Sequence, residues 1–135
     1  MATKLFVNLA VKDLPKTMEF FKELGFKYNY QFTDENAACM IINEDAYAML
    51  LVEKFFKEFT RKELVDAHKS TEVLCAIMKD TKDEVNEMVD KALALGATES
   101  RETQDLGFMY SRPFSDLDGH IWEVGWMDMN YIQPE

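Results

Sequence analysis

The stretch FVNLAVKDLPKTMEFFKELGF, residues 6–26, decides the fold. Residues 4–11, KLFVNLAV, read as a strand, because apolar and β-branched residues run unbroken except for Asn8 and stop at Lys12. Asp13 then stands where a helix N-cap belongs, with Pro15 in the first turn. Leu14, Met18, Phe21 and Leu24 follow at helical spacing. Gly25 fits the left-handed position that closes a helix. Three more strands are predicted at 26–33, 37–43 and 46–52, separated by the polar turns TDEN (33–36) and NED (43–45).

Working outward, the second half repeats this plan. Residues 72–79 form an apolar strand. Thr81 and Glu84 have the spacing of a capping box, and Val85, Met88, Val89, Ala92 and Leu95 make one apolar helical stripe before Gly96. Strands follow at 98–103, 107–114 and 120–127, with DLDG (116–119) as a turn. The chain therefore reads β-α-β-β-β twice, with Leu24-Gly25 and Leu95-Gly96 in corresponding places. This predicts a single α+β domain over 1–135, with modules at about 1–53 and 70–128. A helical linker at about 54–69 joins them, and Phe55, Phe56 and Phe59 would dock it as a packing flap.

Composition sets the class. The chain has 135 residues, 47% of them hydrophobic and 30% charged, which is the balance of a globular protein. It holds 25 Asp and Glu against 15 Lys and Arg, a net charge of −10. Such a field repels phosphate backbones and anionic lipid, so neither nucleic acid nor a membrane surface is an expected partner. Ala46–Val52, the longest apolar run, is far shorter than a membrane span. MATKLFVNLAVKD has one early Lys and a short, interrupted apolar stretch, so it reads as no signal peptide, and a cytoplasmic location is expected. Cys39 and Cys75 sit in apolar runs and read as buried thiols.

Chemistry has few candidates. The chain has two histidines. His68 lies in the polar linker and reads as solvated. His120 opens a strand whose alternation puts Trp122, Val124 and Trp126 on its own face and Ile121, Glu123, Gly125 and Met127 on the other. No nucleophile–His signature and no Gly-rich phosphate loop occur. Glu123 is one carboxylate inside the apolar strand HIWEVGW, and must be paired, protonated, metal-bound or beside water. A partner such as Arg112 would account for it. Asn8 is a similar lone amide in LFVNLAV and needs a backbone or ligand partner.

With these residues in view, the chain resembles the vicinal oxygen chelate superfamily. That group contains glyoxalase I, bleomycin-resistance proteins, fosfomycin-modifying enzymes and extradiol dioxygenases. The likeness rests on V-x-D-L-x-x-(S/T)-x-x-F-(Y/F)-x-x-L-G-F at 11–26 and on D-x-D-G-x-x-x-E at 116–123, within a plan that covers nearly the whole chain. It implies two βαβββ modules with curled antiparallel or mixed sheets around a central cleft and helices outside. It also implies metal ligands on four strands in the metal-dependent members. At the first of those positions this chain has Phe6. The second falls within Met49, Leu50 or Leu51, and the third on Leu74 or its neighbours Val73 and Cys75. Only the fourth, Glu123, keeps a donor. One carboxylate does not hold a transition metal, which takes at least about three protein ligands.

The expected function is thus metal-independent binding of a small molecule, nearest to the bleomycin-resistance branch, with no cofactor. The alternative is a metal-dependent lyase or dioxygenase using a shifted ligand set. The expected ligand-binding residues are Phe6, Asn8, Leu74, Tyr110, Arg112 and Glu123, lining an apolar cup. The ligand would be a small organic molecule bearing a donor or a positive charge for Glu123. Two open sheets leave edges that invite pairing, so a homodimer is expected.

Overall fold

The structure, a computed structural model, describes residues 3–131. Residues 1–2, part of the stretch read as lacking a leader, and residues 132–135 lie outside the described residues. The fold is α+β, and the chain divides into two compact units, Met1–Asp66 and Ala67–Glu135.

The first unit runs β1 (Leu5–Val11), α1 (Leu14–Glu23), β2 (Lys27–Tyr28), β3 (Ala37–Asn43), β4 (Ala46–Val52) and α2 (Glu53–Phe56). Its sheet has the order β1-β4-β3-β2, with β1 parallel to β4 and the other pairs antiparallel. The sequence signals act as expected at α1. The Asp13 carboxylate accepts from the Lys16 N–H at 3.1 Å, so a backbone donor orphaned at the helix start is satisfied. At the other end Gly25 takes φ +103°, a region that costs a Cβ-bearing residue dearly. The helix buries Leu14, Thr17, Phe20 and Phe21. The Tyr28 hydroxyl donates to the Met18 carbonyl of α1, which marks the face of the sheet turned to the helix. Register puts Met40, Ala48, Leu50 and Leu9 on that face, all buried. Burying a Met or Leu side chain of this kind, as at Met40, Leu50 and Leu9, contributes about 1.5–3 kcal/mol.

Two expectations in this unit change. The strand expected at 26–33 is only two residues long, because the Asn29 side chain accepts from the Gln31 N–H and turns Tyr30–Phe32 into a 3-10 turn. The helix expected over 54–69 stops early: after α2 and a 3-10 turn at Lys57–Phe59, residues 60–69 hold no regular element. Thr60 accepts from the Lys62 N–H and bends the chain away from the helix. Phe59 packs edge-on against Phe55 at 5.1 Å and stays 69% exposed, so it buries little of its ring.

The second unit runs β5 (Leu74–Met78), α3 (Lys82–Ala94), β6 (Thr98–Glu99), β7 (Gln104–Asp105), β8 (Met109–Ser115) and β9 (Ile121–Met127). Its order is β5-β9-β8-β6, with β7 also on β8 and β5 parallel to β9, so the plan of the first unit recurs. The capping box forms, the Glu84 N–H donating to Thr81 Oγ1 at 3.1 Å. α3 buries Val85, Val89 and Ala92, and Phe114, Trp122 and Val124 are buried in the same unit. Gly119, at φ +91°, has no room for a side chain: a Cβ there would lie 2.7 Å from the backbone of Ala67 and His68.

The strand expected at 98–103 is instead split. Glu99 pairs with Phe114 and Gln104 with Ser111, so the four residues 100–103 stand against only Arg112 and Pro113. Pro113 has no N–H to offer a ladder, and the surplus residues leave the sheet edge as a bulge.

Candidate ligand site

Strand alternation positions Glu123. Trp122 and Val124 are buried on the face covered by α3, so Glu123 projects from the other face. Its register partners are Ala76 on β5 and Pro113 on β8. Leu74, two residues before Ala76, shares this face and is 53% exposed. The carboxylate is one quarter exposed and meets a cation: Glu123 Oε1 lies 3.5 Å from Arg101 Nη2. Arg101 comes from the 100–103 bulge, and its Nη1 also donates to the Glu102 carbonyl at 3.0 Å. Beside this pair is an open groove of about 690 Å³ lined by Arg101, Glu102, Thr103 and Gln104.

The expected Arg112 partnership does not form. Arg112 is opposite Val124, one residue out of phase with Glu123, and so points to the helix face. There Arg112 Nη1 donates to Asn86 Oδ1 and Asp90 Oδ1, both at 2.9 Å. Tyr110 joins the same cluster, its hydroxyl donating to Asn86 Oδ1 at 2.7 Å. Lys82 Nζ lies over the rings of Trp126 (5.2 Å) and Tyr110 (5.6 Å). These groups tie β8 and β9 to α3.

The six expected residues are therefore divided. Leu74 and Glu123 share a face; Tyr110 and Arg112 lie on the opposite face of the same sheet. Phe6 and Asn8 belong to the first unit. Phe6 stacks on Tyr47 with ring centroids 4.6 Å apart and is 47% exposed. Asn8 is exposed and its amide makes a 3.5 Å contact with the Phe6 carbonyl. The backbone is thus the partner that the Asn8 amide finds, one of the two expected for it.

Two residues with site or scaffold roles escaped the sequence reading. Arg101 was hidden in a presumed strand. Asp116 was read as turn punctuation, yet its carboxylate is 5% exposed and organises the turn before β9. Its Oδ1 accepts from the Asp118 and His120 N–H groups at 3.0 Å, and its Oδ2 from Trp122 Nε1 at 2.9 Å. Burial pushes its pKa above the ordinary carboxylate value, against the pull of His120 and the indole hydrogen bond. Burial, with Asp116 nearby, raises the Cys75 thiol to about 11, so that sulfur is a poor nucleophile. The signal for Asp116 was available: an Asp followed by the tight DG turn and a Trp six residues on.

A resident metal of the kind implied by the resemblance does not fit these side chains. Phe6 and Leu74 have no donor atoms, and the Glu123 carboxylate already holds a guanidinium. Among the described residues, no three His, Cys, Asp or Glu side chains come together as a possible metal site. What the arrangement offers is recognition: a carboxylate with a weakly held cation, next to a groove with a hydroxyl and an amide.

Comparison with known proteins agrees with this architecture. Residues 3–43 match the family model described as bleomycin resistance protein-like N-terminal. No curated protein matches the chain in sequence. A hypothetical protein from S. aureus superposes with a TM-score of 0.78 at 28% identity, covering 93% of this chain and 94% of the other. A glyoxalase/bleomycin resistance protein/dioxygenase family enzyme from Burkholderia phytofirmans gives 0.76 at 16% identity, over 93% and 99%. A bleomycin resistance determinant encoded on the transposon Tn5 gives 0.65 at 15% identity, over 95% and 100%.

Proposed function

We propose that the chain, which has the fold of the vicinal oxygen chelate superfamily and an N-terminal segment matching a bleomycin resistance protein-like model, binds a small organic ligand without a protein-held metal. The observation that supports this is the state of Glu123: the superfamily's last ligand position is answered by Arg101, and among the described residues no three His, Cys, Asp or Glu side chains gather as a metal site. A lone exposed carboxylate–guanidinium pair recognises charge and cannot polarise a substrate as a Lewis acid does. The ligand we propose is drug-like or metabolite-like and carries a donor or positive charge toward Glu123, with the net charge of −10 speeding its approach. We assign the chain a ligand-sequestering role, with the bleomycin resistance determinant that shares its fold as the model. We place the protein in the cytoplasm; among the described residues no helix is long and apolar enough to cross a membrane.

Purification under native conditions tests this. Mass spectrometry is expected to find an organic ligand or none, and elemental analysis no stoichiometric transition metal. About one metal per chain, lost on Glu123→Ala, would overturn the proposal in favour of the lyase or dioxygenase reading. We also propose a homodimer, because Phe6, Leu74 and Met78 leave large apolar surface in water. Light scattering is expected to give about twice the 15.7 kDa chain mass at micromolar concentration, and the monomer mass would refute it.

A further inference from the structure

We propose that Arg101 is an internal occupant of the Glu123 carboxylate, held there until a cationic organic ligand displaces it. This rests on the small-molecule reading above and names the charge of the ligand and the residue that sets selectivity for it.

The geometry supports a displaceable contact. Arg101 reaches Glu123 through one Nη2–Oε1 approach of 3.5 Å, whereas Arg112 holds Asp90 at 2.9 Å. A guanidinium that binds a carboxylate tightly does so with two parallel hydrogen bonds at shorter range. The Arg101 side chain is 42% exposed, and an exposed pair of this kind is worth a factor of only about two to five. Its carrier is a bulge, released from the ladder opposite Pro113, so its movement breaks no β8 pairing. Residues 101–104 are all exposed.

Displacement also leaves no group stranded. Arg101 keeps its hydrogen bond to the Glu102 carbonyl, and water can solvate the rest of the guanidinium. The Glu123 carboxylate, one quarter exposed between Ala76 and Pro113, exchanges one cation for another. The ligand's body has a surface to rest on: residues 101–104 line an open concavity beside the pair, about 690 Å³ in volume. An anion in the groove would face Glu102, with Arg101 as the one cation among the described lining residues and itself paired with Glu123. The arrangement therefore favours a cation that competes with Arg101 over an anion that joins it.

The test uses the full chain, with rhodamine 6G as a cationic probe and Nile red as a neutral one, followed by fluorescence anisotropy. Arg101→Gln is expected to tighten rhodamine 6G about two- to fivefold, by removing the competitor. Glu123→Gln is expected to weaken it, and Arg101→Gln added to Glu123→Gln to change nothing further. Nile red is expected to respond to neither substitution. If Arg101→Gln leaves rhodamine 6G binding unchanged or weaker while Glu123→Gln weakens it, the small-molecule reading survives and the displacement proposal falls. If neither dye binds saturably to any of these variants, the small-molecule reading falls and takes the proposal with it. Melting curves of each variant verify the fold; the bulge position of Arg101 makes a loss of folding there readily visible as its own result and not as lost affinity.

Discussion

In Met1–Asp66 the helix-covered face of the sheet carries Leu9, Ala38, Met40, Ala48 and Leu50, all apolar and buried. In Ala67–Glu135 the corresponding face mixes Phe114, Trp122 and Val124 with Tyr110 and Arg112, which reach into α3 through Asn86 and Asp90. A further difference appears on the last strand of each unit. β4 reads AYAMLLV and holds no charge, while the equivalent β9, IWEVGWM, holds Glu123. One topology thus supports two kinds of cohesion. The first unit relies on burial, which is non-directional and tolerant of exchange between apolar residues. The second adds directional polar contacts, which are sensitive to single atoms. In the first unit the Tyr28 hydroxyl is the polar tie between sheet and helix, donating to the Met18 carbonyl of α1, whereas the second ties β8 to α3 through Tyr110, Arg112, Asn86 and Asp90.

The largest expected effect tests the apolar side of this contrast. Phe21 is fully buried and meets Phe20 and Phe26 edge-on, with ring centroids at 5.0 and 5.9 Å. Phe21→Ala should cost about 3–5 kcal/mol, the range for emptying a fully buried aromatic site. Phe21→Leu, which retains most of the volume, should cost far less. Chemical denaturation measures both. Equal losses for the two variants would mean that the first unit depends on specific ring contacts and not on burial.

The next effect tests the polar side. Asp116→Asn keeps one acceptor for the Asp118 and His120 amides but turns an NH₂ toward the Trp122 indole N–H. Two facing donors should cost about 1–3 kcal/mol. The pH dependence follows from the raised pKa of Asp116. The folded protein binds this proton more readily than the unfolded chain does. The group's contribution is therefore fully present below the ordinary Asp value of about 3.9 and is lost as pH rises through the folded value. Asparagine has no such term. The stability gap between wild type and Asp116→Asn should widen as pH falls from 7 toward 4, in parallel melts. A gap that narrows instead would show that the three hydrogen bonds outweigh burial.

Much of this architecture was legible before any coordinates, for local reasons. Asp13, Gly25, Thr81 with Glu84, and Gly96 act through contacts within a few residues of themselves, and the strands at 37–43 and 46–52 have the predicted bounds. The failures came where a side chain competes with the ladder. Asn29 and Thr60 each capture a nearby N–H and end an element that apolar content would have extended. The site was less legible because it depends on register. Alternation placed Glu123 opposite in facing to Trp122 correctly, but only the β8–β9 pairing shows that Arg112 falls beside Val124. Arg101 depends on a two-residue surplus across β8, and the clue to it, Pro113, lies in another strand.

The smallest effect settles which arginine answers Glu123. Double-mutant cycles of Glu123→Gln with Arg112→Met and with Arg101→Gln, read by denaturation, measure the two couplings directly. Arg112 lies on the far face of the sheet and is held by Asn86 and Asp90, so its coupling to Glu123 should lie within about 0.5 kcal/mol of zero. Arg101 touches Glu123, but both side chains are partly in water, so solvent screening limits that coupling to about 0.2–1 kcal/mol. Salt should separate them further. Raising ionic strength should shrink the Arg101 coupling, because an exposed pair is screened. Arg112→Met alone should still destabilise in high salt, since it also removes the hydrogen bond to Asn86, an uncharged partner. A coupling between Arg112 and Glu123 above about 1 kcal/mol would require the two to meet across the strand. It would erase the distinction between a helix face held together by polar contacts and an open face that carries the Arg101–Glu123 pair.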